Sequence, residues 1–120
     1  GNTLYREGRY AEARGKYLGA INALVKLVSS EDAPDESRNM LVTCHLNVSA
    51  CSLKEGDKET ALLHSTQALR MEPRNVKALF RRGSALTQLG KLKEALEDLC
   101  AAQEIAPNES SIKGMIADIR

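Results

Sequence analysis

Tryptophan is absent from this 120-residue chain, phenylalanine occurs once and tyrosine three times. So thin an aromatic supply argues against a base-stacking surface for nucleic acid. Charge of one sign is lacking too: 17 Lys and Arg stand against 16 Asp and Glu, a net charge of +1. That balance gives no diffuse attraction to nucleic acid or to an anionic membrane. No apolar run approaches the roughly 18 residues that span a bilayer, and no secretory leader is legible. The three cysteines are odd in number and fall in helix-like contexts, which favours free thiols in a reducing, cytoplasmic setting over a disulfide framework. Glycine-rich phosphate loops, CxxC and HxxxH spacings and strand-borne nucleophiles are missing. No catalytic site, cofactor or metal is therefore expected within the chain. Cys44 and Cys51, with His45 or His64, come nearest to a ligand set, but His45 lies off the Cys44 face and packed thiols are the reading adopted.

Proline is scarce as well, and its spacing is informative. Pro73 and Pro107 lie 34 residues apart, and the same shift pairs Ser49 with Gly83, Gly56 with Gly90, Ala61 with Ala95 and Ala68 with Ala102. A shift of 48 adds an upstream copy, pairing Gly1 with Ser49, Gly8 with Gly56, Ala13 with Ala61 and Ala20 with Ala68. The longer shift places an acidic, polar insertion around VSSEDAPDES. Each copy reads as two helices. In the last copy Ala78, Leu79, Gly83, Ala85, Leu86 and Leu89 share one face, and Gly90 breaks the pattern. Leu92, Ala95, Leu96, Leu99, Ala102 and Ile105 then share another face, ending before Pro107. No alternating strand pattern is found, so the expected class is all-α.

A 34-residue period with small residues at the sites of Gly83, Ala95 and Ala102 and a proline at Pro107 resembles the tetratricopeptide repeat, over essentially the whole chain. The resemblance implies three tandem helix-turn-helix repeats in a right-handed superhelix with a C-terminal capping helix. The boundaries expected are about 1–28 for a first repeat truncated at its N-terminus, 29–41 for the insertion, 42–75 and 76–109 for the second and third repeats, and 110–120 for the cap. Ile112, Met115, Ile116 and Ile119 give the cap its apolar face. Val25 stands where the repeat usually has proline, so the first repeat's last helix is expected to run on. The chain opens at GNTLYREGRY without an initiator methionine, as a piece of a longer protein would.

Such arrays curve so that their first helices line a concave groove. Within it Lys77 and Arg81 stand one turn apart on one helix face, where like charges repel unless an anion meets them. Their register, with Asn2 and Asn47, is similar to the carboxylate clamp of co-chaperones that hold the C-terminal Glu-Glu-Val-Asp of seventy- and ninety-kilodalton heat-shock chaperones. The resemblance makes Asn2, Asn47, Lys77 and Arg81 the peptide-binding residues, and a clamp lysine would fall four positions before Asn2, outside the chain. Tyr5, Arg6, Leu46, Phe80 and Ser84 are further candidate groove contacts. Arg82, about 100° around the helix from Arg81, is expected to lie across the helix-packing seam. KALFRRGSAL and the long insertion resemble immunophilin-type (FK506-binding protein) co-chaperones most, which implies a peptidyl-prolyl isomerase domain elsewhere in the parent. Two other readings stand beside this one: a tetratricopeptide scaffold for an unrelated protein, and a docking arm of a larger enzyme.

Overall fold

The computed structural model describes the backbone of residues 2–28 and 35–119 and the side chains of residues 9–26 and 35–119. Six helices follow one another: α1 (Asn2–Val28), α2 (Asp35–Glu55), α3 (Lys58–Met71), α4 (Val76–Gln88), α5 (Leu92–Ile105) and α6 (Ser110–Ile119). The described residues contain no strand. Each helix packs on the next in sequence, and α2 also touches α4. The array measures 44 × 41 × 23 Å, and its thinnest dimension is that of two helix layers.

Local chemistry sets the turns. Gly56 and Gly90 adopt φ of 83° and 81°, a left-handed conformation cheap only for a residue without Cβ. Behind them Asp57 N donates to Ser52 O at 2.8 Å, and Lys91 N to Leu86 O at 2.9 Å. Asp57 caps α3 by accepting from Thr60 N, and Asn75 caps α4 by accepting from Ala78 N, each meeting a backbone donor that the first turn leaves orphaned. The proline-bearing segments after Met71 and Ile105 end α3 and α5, since proline has no N–H to continue the ladder.

The core follows the small-residue register. Ala61, Ala68, Ala78, Ala85, Ala95, Ala102 and Leu99 are fully buried. A Cβ added to Gly83 would lie 2.9 Å from Leu99 Cγ and Cδ2, so α4 and α5 touch there through a hydrogen atom. Ser49 occupies the equivalent site in the preceding repeat; it too is fully buried, and its hydroxyl donates to the Ala61 carbonyl at 3.1 Å. One cluster runs from Val42 and Leu46 through Leu79 and Leu99 to Ile112 and Ile116 of α6, which covers the end of the array as a cap should. A second cluster, Ile21, Leu41 and Val48, joins α1 to α2. Arg14 reinforces that junction through Glu55 at 3.1 Å and Asp57 at 3.5 Å.

Two expectations are corrected. The first repeat is not a helix pair: α1 passes through Gly8 without a turn. Residues 2–7 amount to fewer than two turns, too short a helix to offset the loss of the hydrogen-bond ladder by packing of its own. Helix α2 begins at Asp35, within the expected insertion of residues 29–41. Asp35 and Glu36 suit the positive end of the helix dipole, while Ser37 and Leu41 turn inward and are buried. Residues 29–34 lie outside the described residues. Leu92, assigned to the inner face of α5, is 45% exposed because it precedes the first turn that packs on α4. The continuation of α1 past Val25 to Val28 is as expected.

Glycines at two sites should respond oppositely to alanine. Gly15 meets nothing within 4 Å, so Gly15→Ala should raise stability by about 0.5–1 kcal/mol through helix propensity. Gly83→Ala should lower it by about 1–2 kcal/mol, overpacking against Leu99 outweighing the same propensity gain. Urea-unfolding midpoints of the two variants would test both signs.

Candidate functional site

Helix α4 presents two arginines in consecutive positions, and they do different things. Arg82 turns into the α4–α5 seam, where its Nε and Nη2 each donate to Asp98 at 2.7 Å. That bidentate pair, with Asp98 buried, holds the Arg82 guanidinium above its ordinary range, mainly through the hydrogen bonds themselves. Arg81 turns the other way and crosses to α2, where its Nη1 donates to the Leu46 carbonyl at 2.6 Å. Burial pulls its guanidinium down from the ordinary value, yet an arginine stays cationic throughout the physiological range. One of five N–H donors is thus taken, and the guanidinium is held in place with the rest available.

Lys77 stands one turn before Arg81 and is exposed. Both line a cleft of about 450 Å³ between α4 and α6, with Phe80, Val76 and Ile112 as its apolar floor and Glu109 at its rim. Asn47 lines a neighbouring cleft of about 590 Å³ between α1 and α2, with Ala50, Cys51, Ala13, Tyr17 and Lys16. Arg81 joins the two: its guanidinium meets the backbone residue before Asn47, and with Arg14 it acts on Cys51. The Cys51 thiol is pushed up by burial and by Glu55, against the pull of Arg14 and Arg81. The outcome is one partly apolar cleft, a trough with an ammonium and a guanidinium along it, and a second cleft beside it that holds the Asn47 amide.

The structure therefore brings Lys77, Arg81 and Phe80 together, and sets Asn47 next door. Two candidate contacts are corrected. The Leu46 side chain is in the main core cluster at 7% exposure, because the α2 register that exposes Asn47 turns its predecessor toward α3 and α4; only its carbonyl serves the trough. Ser84 is buried at 8% and donates to Met115 Sδ at 3.5 Å, since α6 covers that stretch of α4. The side chains of Asn2, Tyr5 and Arg6 lie outside the described residues. Sequence reasoning missed the α1 wall, although Arg9, Ala13, Lys16 and Tyr17 recur at helical spacing and all line the Asn47 cleft.

Cys44, Cys51 and Cys100 are free and half-buried. Among the described residues no three His, Cys, Asp or Glu side chains gather around one point, and no helix is long and apolar enough to cross a membrane.

Residues 53–110 match the family model of the tetratricopeptide repeat, from the end of α2 through α3, α4 and α5, including both glycine turns described above. Residues 53–110 are tetratricopeptide repeats, and the chain has that fold. A tetratricopeptide array of this kind is a protein-interaction module, and its extended concave surface is where partners are held. The domain is similar to the C-terminal tetratricopeptide-containing domain of a Plasmodium falciparum FK506-binding protein, with a TM-score of 0.87, 29% identity, and 98% of this chain and 80% of that one covered. It is also similar to the second tetratricopeptide domain of human RPAP3, solved in complex with the HSP70 peptide SGPTIEEVD, at a TM-score of 0.65 and 26% identity over 98% of this chain and 91% of that one. Among curated sequences, outer envelope protein 61 of Arabidopsis thaliana is 35% identical over all 120 residues. The chain spans 21% of the length of that relative.

Arg82 and Lys77 should separate in a stability measurement. Arg82→Ala leaves Asp98 buried without its partner and should cost about 2–3 kcal/mol. Lys77→Ala removes an exposed charge and should change stability by less than about 0.5 kcal/mol. Thermal unfolding followed by circular dichroism would read both, and comparable losses would contradict the division.

Proposed function

We propose that this domain binds the C-terminal tail of a heat-shock chaperone, gripping the Glu-Glu-Val-Asp end through a carboxylate clamp in the trough. The observation that carries the reading is the pairing of Lys77 with Arg81 in one cleft, with Arg81 anchored on α2 beside Asn47. A terminal aspartate offers two carboxylates a few ångströms apart, each able to accept several hydrogen bonds. Lys77 supplies a mobile point charge for that dyad, and the remaining Arg81 donors fork to a carboxylate or a peptide carbonyl. Asn47 adds an amide N–H without further charge repulsion. Asn2 is assigned the matching role from the first repeat by its place in the sequence. Phe80, with Val76 and Ile112 behind it, gives an apolar side chain of the ligand somewhere to pack.

Two similarities support the reading. The RPAP3 domain holds a peptide with this ending, and the FK506-binding-protein domain has the same helical arrangement over nearly the whole of this chain. The parent protein is proposed to be a co-chaperone of the immunophilin type, acting in the cytoplasm, with any catalytic domain outside this chain.

Charge-assisted bonds contribute about 1.5–3 kcal/mol each. Several of them, less the cost of ordering the peptide, correspond to a Kd on the order of micromolar. Calorimetry with a pentapeptide ending in Glu-Glu-Val-Asp should give such a Kd, weakening with added salt. The C-terminally amidated peptide should bind at least about tenfold more weakly, and so should the free acid to Lys77→Ala, a loss of about 1.4 kcal/mol. Equal affinity for acid and amide would overturn the proposal.

A further inference from the structure

The centre of the α2–α3 hairpin holds a contact that the trough does not use. His45 and His64 face each other with their Nδ1 atoms 2.8 Å apart and their ring centroids 5.1 Å apart. Both rings are buried, at 8% and 9% exposure. A separation of 2.8 Å between ring nitrogens is a hydrogen bond, and an N–H···N bond needs one donor and one acceptor. One imidazole therefore carries its proton on Nδ1, and the other keeps that lone pair free. With both nitrogens protonated, two N–H groups would point at each other and two like charges would share a dry site.

Several charges on the surrounding helices have partners or positions away from the pair. From α1, Arg14 pairs with Glu55 and Asp57; Glu55 is ten residues from His45, about 15 Å along α2. From α4, Arg81 is bonded to the Leu46 carbonyl and Arg82 to Asp98 of α5. Arg38, Arg70 and Glu72 line a separate cleft toward the opposite end of the hairpin, with Arg38 about 10 Å along α2 from His45. The α1–α2 cluster adds the Tyr17 phenol and the Cys44 thiol, and burial pushes the thiol up, which keeps it neutral. No carboxylate among these groups is placed to take up a positive charge on the pair. Burial first, and His64 second, hold His45 down to about 4 from its usual 6.5, and burial lowers His64 as well.

We infer that the His45–His64 pair is an acid-opened latch between the two helices of the central repeat. At neutral pH the shared N–H ties α2 to α3, and protons taken up as the pH falls part them. His45 directly precedes Leu46 and Asn47, so parting the hairpin disturbs the surface on which Arg81 docks. The direction follows from proton linkage: the opened chain binds protons near 6.5 and the folded chain only well below it. The stabilisation is whole above about pH 6.5 and is lost as the pH falls toward 4.

Urea unfolding of the 120-residue chain between pH 7.5 and 5 tests the latch. The unfolding constant should rise about tenfold or more from pH 6.5 to 5, and the double variant H45L/H64L should lose that dependence over the same range. An unchanged constant in the native chain, or an equal slope in the variant, would overturn the inference. Should the variant not fold, nitrogen NMR of the native imidazoles decides. Two neutral rings at pH 6, one of them protonated on Nδ1, support the latch, and titration of either ring near 6.5 refutes it.

Discussion

The array depends on helices that approach closely enough for a backbone to sit against a side chain. At Gly83 the space for a Cβ is already filled by Leu99, and Leu99 is wholly buried, so neither partner has room to give. Ala95 and Ala102 extend the same seam, and Ala61, Ala68 and Ser49 repeat it one unit earlier. A dense interior cannot absorb an added methyl without moving side chains off their rotamers. The spacing of helix pairs, and with it the alignment of their outer faces, therefore follows from residues that contribute almost no apolar area.

That alignment gives the two neighbouring arginines their different fates. About 100° of helix rotation sends Arg82 into the α4–α5 seam, where the Asp98 carboxylate meets it with two hydrogen bonds. The same rotation sends Arg81 toward α2, where only a backbone carbonyl meets it. One cation is neutralised inside its repeat. The other bridges two repeats with most of its donors unspent, and Lys77 beside it increases the local positive potential. These are the two cations on which the proposed grip of a carboxylate depends.

Several polar groups inside the hairpins are satisfied by the same close geometry, although the buried Ser52 hydroxyl has no partner among the described residues. Ser49 and Ser65 both donate to the Ala61 carbonyl, and the two histidines satisfy each other. A buried polar contact of this kind is strong while both partners are in the right protonation state and costly when one changes. The histidine pair is thus the point in the core where stability is tied to pH.

The helix pairs, their glycine turns and the capping helix were legible in the sequence, because turn conformation and close approach demand particular residue types at a fixed period. Gly56, Gly90, Ala95 and Ala102 carry that information locally. Lys77 and Arg81 could be assigned to one face for the same reason. What lay beyond the sequence was each residue's partner. Whether the chain bends at Gly8, whether residues 35–41 join a helix, and whether Leu46 and Ser84 face the trough or the core are decided by which helix packs alongside. The anchoring of Arg81 on α2 and the meeting of His45 with His64 link residues 35 and 19 positions apart. A periodic pattern records which way a side chain points along its own helix, and only packing decides what it meets there.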